Sequence, residues 1–91
     1  MVKVVVGQML TDCNEFCDYI EIYKNDKIVY VESKGICNLL AVIWNHKVEK
    51  EIKSIDEIDE LLKDENVKYI ISRLGLTSDQ LKSIIQKLLT T

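Results

Sequence analysis

Between Tyr19 and Glu32 apolar and polar side chains alternate in two β-rich runs that flank Asn25-Asp26. That dipeptide tolerates the positive φ demanded by a two-residue hairpin turn. Pairing Lys24 with Lys27 places Ile20, Ile22, Val29 and Val31 on one face. Tyr19, Glu21, Tyr23, Ile28, Tyr30 and Glu32 fall on the other. The β-branched face is expected to be core. The aromatic and acidic face is expected to meet a helix, a partner or water.

The pattern changes on either side of this hairpin. Lys3 to Val6 is a short apolar run ending at Gly7, which predicts a strand covered on both faces and placed centrally beside the hairpin. Residues 8–18 connect the two, with Thr11 or Asp12 available to cap a single helical turn. From Ile36 to His46, the positions Leu39, Leu40, Ile43 and Trp44 follow helical spacing, and Val48 and Ile52 continue it. A helix from 36 to about 51 is therefore expected on the aliphatic hairpin face, with a short strand at 48–53 as the competing reading.

Three further helical segments follow. Ser54-Ile-Asp-Glu57 has the form of a capping box, opening a helix with Ile55, Ile58, Leu61 and Leu62 inward and an end near Asp64. Residues 66–74 bring Val67, Ile70, Ile71 and Leu74 to one side, and Gly75 supplies a left-handed stop. Thr77-Ser-Asp-Gln80 is a second capping box, before Leu81, Ile84, Ile85, Leu88 and Leu89. The expected architecture is a single α+β domain over residues 1–91. About three antiparallel strands would be packed by three to four helices in the C-terminal half.

Composition adds few constraints. Of 91 residues, 47% are apolar and 30% charged, an ordinary globular balance. Proline is absent and eleven of the twelve basic residues are lysine; the abundance of Lys, Glu and Ile would suit a thermophile with an AT-rich genome. The net charge of −3 disfavours a surface that binds nucleic acid or anionic lipid over its whole extent. No apolar run reaches the roughly 18 residues of a membrane span, and the opening residues lack a signal-peptide pattern. Three cysteines without such a signal fit a reducing cytoplasm.

Candidate chemistry is sparse. Cys13, Cys17, Cys37 and His46 are four potential zinc ligands, but Cys37 and His46 are separated by an apolar stretch and lack the tight spacing of structural zinc pairs. Core cysteines are the favoured reading, and no metal or cofactor is expected. Cys37 follows Gly35 near the expected start of a helix, where a thiol can be activated, so a cysteine-dependent enzyme is one alternative. The only histidine lies at the far end of that helix, away from Cys37, and the balance leans against catalysis. Asp56, Glu57, Asp59 and Glu60 read as a solvated helix face.

Two surfaces remain. Tyr19, Tyr23, Ile28 and Tyr30 suit an interface, because tyrosine offers a large apolar body with a polar tip. Glu21 and Glu32 among them oppose base stacking on a phosphate chain. The stretch from Tyr69 to Leu89 resembles a helix-turn-helix, with the turn at Leu74-Gly75-Leu76. That resemblance would aim Thr77, Ser78 and Lys82 at a major groove, with Arg73 and Lys87 adding local positive charge. Ile71, where a small residue is wanted, and Asp79, where phosphates approach, depart from the pattern. A plain helical hairpin is preferred. The leading expectation is a non-enzymatic association module, either a homodimer or an accessory subunit. A DNA-binding regulator is the other alternative.

Overall fold

A computed structural model describes residues 1–11, 14–37 and 43–90. Four strands precede three helices: β1 (Val2–Leu10), β2 (Phe16–Lys24), β3 (Lys27–Gly35), β4 (Ile43–Ile52), α1 (Ile55–Lys63), α2 (Glu65–Arg73) and α3 (Ser78–Leu89). The strands form one antiparallel sheet in the order β3-β2-β1-β4. The protein is α+β, as expected, with one strand more than the sequence pattern suggested.

β1 is central, and its Val2, Val4, Val5 and Val6 are all buried, which is why an uninterrupted valine run suits it. Asn25 and Asp26 take φ of 53° and 66°, the double left-handed turn that matches strand twist. Lys24 faces Lys27 as the alternation required.

Two expectations are overturned. The first is the phase of β3. Its register shifts between Ile22 and Tyr23, so that Tyr23 opposes Ile28 while Ile22 opposes Tyr30. Val29 is the extra residue of a β-bulge, and past it every side chain of β3 changes face. Tyr30 therefore joins Ile20 and Ile22 and packs against the core. Val29 and Val31, expected inside, are 47% and 55% exposed.

The second is the helix expected over 36–51. Residues 43–52 are strand β4, paired with β1. Helical spacing and period-two alternation coincide at Val48 and Ile52. The charges decide between them, because Lys47, Glu49 and Glu51 all fall on the face opposite His46, Val48, Lys50 and Ile52. The expected helical positions Leu39, Leu40, Ala41 and Val42 lie outside the described residues, as do Asp12 and Cys13 of the first connection. In that connection the Thr11 Oγ1 accepts from the Glu15 N–H at 3.1 Å, with no helix among the described residues for it to cap.

The helices all lie on one side of the sheet. Their inner residues (Ile58, Leu61, Val67, Ile70, Leu81 and Ile85) close over Val2, Val4, Val6, Ile20, Ile22 and Ile52. Asp64 ends α1 and caps α2, its Oδ1 accepting from the Asn66 and Val67 N–H groups at 2.8 and 3.2 Å. Thr77 and Gln80 form the complete capping box of α3. At Ser54 the expected capping box is not formed, Glu57 accepting instead from the Lys53 N–H one residue earlier, and Ile55 is exposed rather than inward.

Candidate association surface

Among the described residues, no second layer of helices or strands covers the face of the sheet turned away from the helices. It is divided along its length. One end carries Lys3, Tyr23, Ile28, Glu49 and Glu51. The other carries Met9, Cys17, Tyr19, Val31 and Trp44. The second group, with Cys37, lines a shallow apolar groove of about 390 Å³.

The aromatic rings on this face are braced from below and from the side. The Tyr19 ring lies across Gly7, where an added Cβ would come within 2.6 Å of it. Glycine is thus required at position 7 by the ring and not by its backbone angles. Tyr19 and Trp44 pack at 5.7 Å between centroids, and the Lys47 ammonium sits 4.8 Å from the Trp44 ring centre. Lys3 lies 4.6 Å from the Tyr23 ring centre and also pairs with Glu49 at 3.6 Å. Burial pushes the Tyr19 hydroxyl up to about 12, with the negative charge of Glu21 and neighbouring groups adding to it.

β3 forms one edge of the sheet and is exposed along nearly its whole length. Ile28 is 50% exposed, and with Val29 and Val31 it leaves an apolar row beside unpaired edge positions. Tyr30 donates its hydroxyl to Glu32 at 2.8 Å; burial first, and that carboxylate second, raise its pKa. Three of the four residues expected at an interface (Tyr19, Tyr23 and Ile28) thus share the open face, whereas Tyr30 faces the helix side.

A polar relay closes the helix side at the other end of the strands. Asn45 Nδ2 donates to Gln8 Oε1 at 2.7 Å, and Gln8 Nε2 donates to Asp18 Oδ1 at 2.7 Å. Arg73 Nε then donates to Asp18 Oδ2 at 2.8 Å. The guanidinium lies between the rings of Phe16 and Tyr69, 5.4 and 5.6 Å from their centres. The pairing with Asp18 raises the pKa of Arg73. Beside this pair is a cleft of about 480 Å³ that also includes Glu15 and Lys34. Its two cations are balanced by two carboxylates, and Arg73 ends a helix whose carbonyls are the negative pole. The relay joins α2 to the sheet and offers no net attraction to an anion.

The other candidate residues are dispersed. Cys17 and Cys37 are joined by a disulfide, with Cα atoms 5.0 Å apart, so Cys37 is not a free thiol at a helix start. The disulfide lies on the open face, whereas His46 faces the helices and meets Tyr69 edge-on at 6.4 Å. Cys17, Cys37 and His46 of the four potential zinc ligands are therefore not brought together, and Cys13 lies outside the described residues. Of the helix-turn-helix set, Arg73 is bound to Asp18, Lys82 pairs with Asp59 at 2.8 Å and Thr77 caps α3, while Ser78 and Lys87 are exposed. In the acidic helix face, Glu60 pairs with Lys50, a hydrogen bond that lowers its pKa.

Sequence reasoning missed Trp44, Lys47 and Val31 on the open face because each depended on a strand or a bulge that was misread. It also missed Gln8 and Asp18, although both are in phase with apolar inward positions, Gln8 with Val4 and Val6 and Asp18 with Ile20 and Ile22. A polar residue in register with a buried row is a readable sign of an internal network. None of the described helices is long and apolar enough to cross a membrane. Comparison with protein-family models, curated proteins and solved structures yields no match.

Proposed function

We propose that this domain is a non-enzymatic association module, acting as a homodimer or as an accessory subunit of a larger assembly. The observation that carries the reading is one-sided cover. All three helices pack on one face, leaving the opposite face with Trp44, Val31 and Ile28 at the surface. Four strands of nine or ten residues span a sheet face of about 600 Å² at the usual spacings. That approaches the ~800 Å² each partner contributes to a standard interface. The aromatic rings are already held in place before any partner arrives, which lowers the entropy lost on binding.

A DNA-reading role for α3 has less support, since Arg73 and Lys82 are already neutralised within the chain. A cysteine-dependent enzyme has less again with Cys37 bonded. A cytoplasmic setting is part of the proposal. Intracellular disulfides persist chiefly in hyperthermophiles, which agrees with the abundance of lysine and glutamate.

Native mass spectrometry of the full chain, with light scattering across a concentration series, tests the reading. A mass at a multiple of the chain, or a stable complex with another protein from the source cell, is expected. A chain that stays monomeric up to about 1 mM and retains no protein partner would overturn it.

A further inference from the structure

We infer that the partner is a second copy of this chain, joined through β3 in a two-fold antiparallel edge pairing that opposes Lys27 to the partner's Glu32. The inference rests on the association reading and adds the element, the register and the occupant.

The sheet has two edges, β3 and β4, and they are unlike. Along β4 charges recur and have partners within the chain: Lys47 lies on Trp44, Glu49 pairs with Lys3, and Lys50 pairs with Glu60. Such an edge is guarded against pairing. In β3 the central run is Ile28-Val29-Tyr30-Val31, apolar and exposed on its outer side, with charge only towards the ends. Among the described residues, Tyr30 is the one of this strand packed against the core, and the helices make no more than slight contact with it.

The bulge selects the register. Opposed residues in an antiparallel pair must share a face. Lys27, Tyr30 and Glu32 face the helix side, whereas Ile28 and Val31 face the open side, because Val29 inserts an extra residue between them. Two copies of β3 match faces across the bulge when Ile28 lies opposite the partner's Val31. The two bulges then sit together at the dyad. The same register brings Lys27 opposite the partner's Glu32 twice, by symmetry, and aligns the apolar runs. A centre at Ser33 also matches faces, pairing Glu32 with the partner's Lys34. It leaves Ile28 and Val29 bare and joins fewer residues. The longer pairing makes one sheet of eight strands with a continuous open face, so the aromatic groove of each copy lies on a shared surface.

The test is a charge reversal read by sedimentation equilibrium on the full chain, with circular dichroism to show that each variant is folded. Lys27→Glu and Glu32→Lys should each weaken dimerisation about tenfold, since two like-charged pairs replace two attractive ones. The double variant Lys27→Glu/Glu32→Lys should recover the original affinity, and Lys34→Glu should leave it unchanged. A dimer insensitive to all three single reversals would overturn edge pairing and leave the association reading standing. Weakening by Glu32→Lys and Lys34→Glu but not by Lys27→Glu, with no recovery in the double variant, would place the centre at Ser33 and overturn the register. A native chain that stays monomeric would overturn both the edge pairing and the homodimer.

Discussion

Removing one member of the Asp18–Arg73 pair should cost very different amounts depending on which is taken. Asp18 is 2% exposed and holds two bonds, from Gln8 and Arg73, whereas the Arg73 side chain retains 39% exposure. In Asp18→Ala the Gln8 amide, itself fully buried, loses its acceptor, at about 1–3 kcal/mol. The freed guanidinium can rehydrate, so its share is held to about 1 kcal/mol or less. The sum is about 1–4 kcal/mol. In Arg73→Met the carboxylate remains inside with only Gln8 beside it, and an uncompensated buried charge costs about 3–5 kcal/mol. Urea unfolding at neutral pH, followed by circular dichroism, measures both. Arg73→Met should be the more damaging, and Asp18→Ala/Arg73→Met should cost less than the two single losses combined. Equal losses below about 1 kcal/mol would show that the relay is hydrated and carries none of the attachment of α2.

Three other outcomes are expected. Reducing the Cys17–Cys37 bond releases a loop with a sequence separation of 20, worth about 3 kcal/mol in chain entropy and a fall in Tm of roughly 12–24 °C. Scanning calorimetry with and without a phosphine reductant would show it, and a fall under about 4 °C would refute the estimate. Spectrophotometric titration should find the Tyr19 hydroxyl ionising near 12. Because the folded value lies above the ordinary 10, this group's stabilisation is intact below pH 10 and is lost as pH rises towards 12. Gly7→Ala should push the Tyr19 ring off β1, bring its ionisation back towards 10 and change Trp44 fluorescence, at a cost of about 1 kcal/mol. An unchanged titration would mean the ring is held elsewhere.

What could be read in advance was local. The turn at Asn25-Asp26, the central valine strand and the three C-terminal helices each follow from neighbours within a few residues, and all are present. The bulge at Val29 has no such signature, since no glycine marks it. The β4 strand was hidden because Ile43, Trp44, Val48 and Ile52 satisfy a helical stripe as well as a strand. The disulfide and the Asp18–Arg73 bond join residues 20 and 55 positions apart. Spacing alone does not select such pairs. Consequently Tyr19, Tyr23 and Ile28 were placed on the right surface, while Tyr30 and the valines of β3 exchanged sides.

The order of elements also matters while the chain is being made. Every strand precedes every helix, so the valines of β1 and the isoleucines of β2 leave the ribosome with nothing to cover them. The segment Ile55–Leu89 follows about two to seven seconds later at ordinary elongation speeds. During that interval the nascent sheet is apolar on the side that will become its interior and half-apolar on the other. Slow translation through the helical third should therefore lower the yield of folded protein far more than slow translation through the strands.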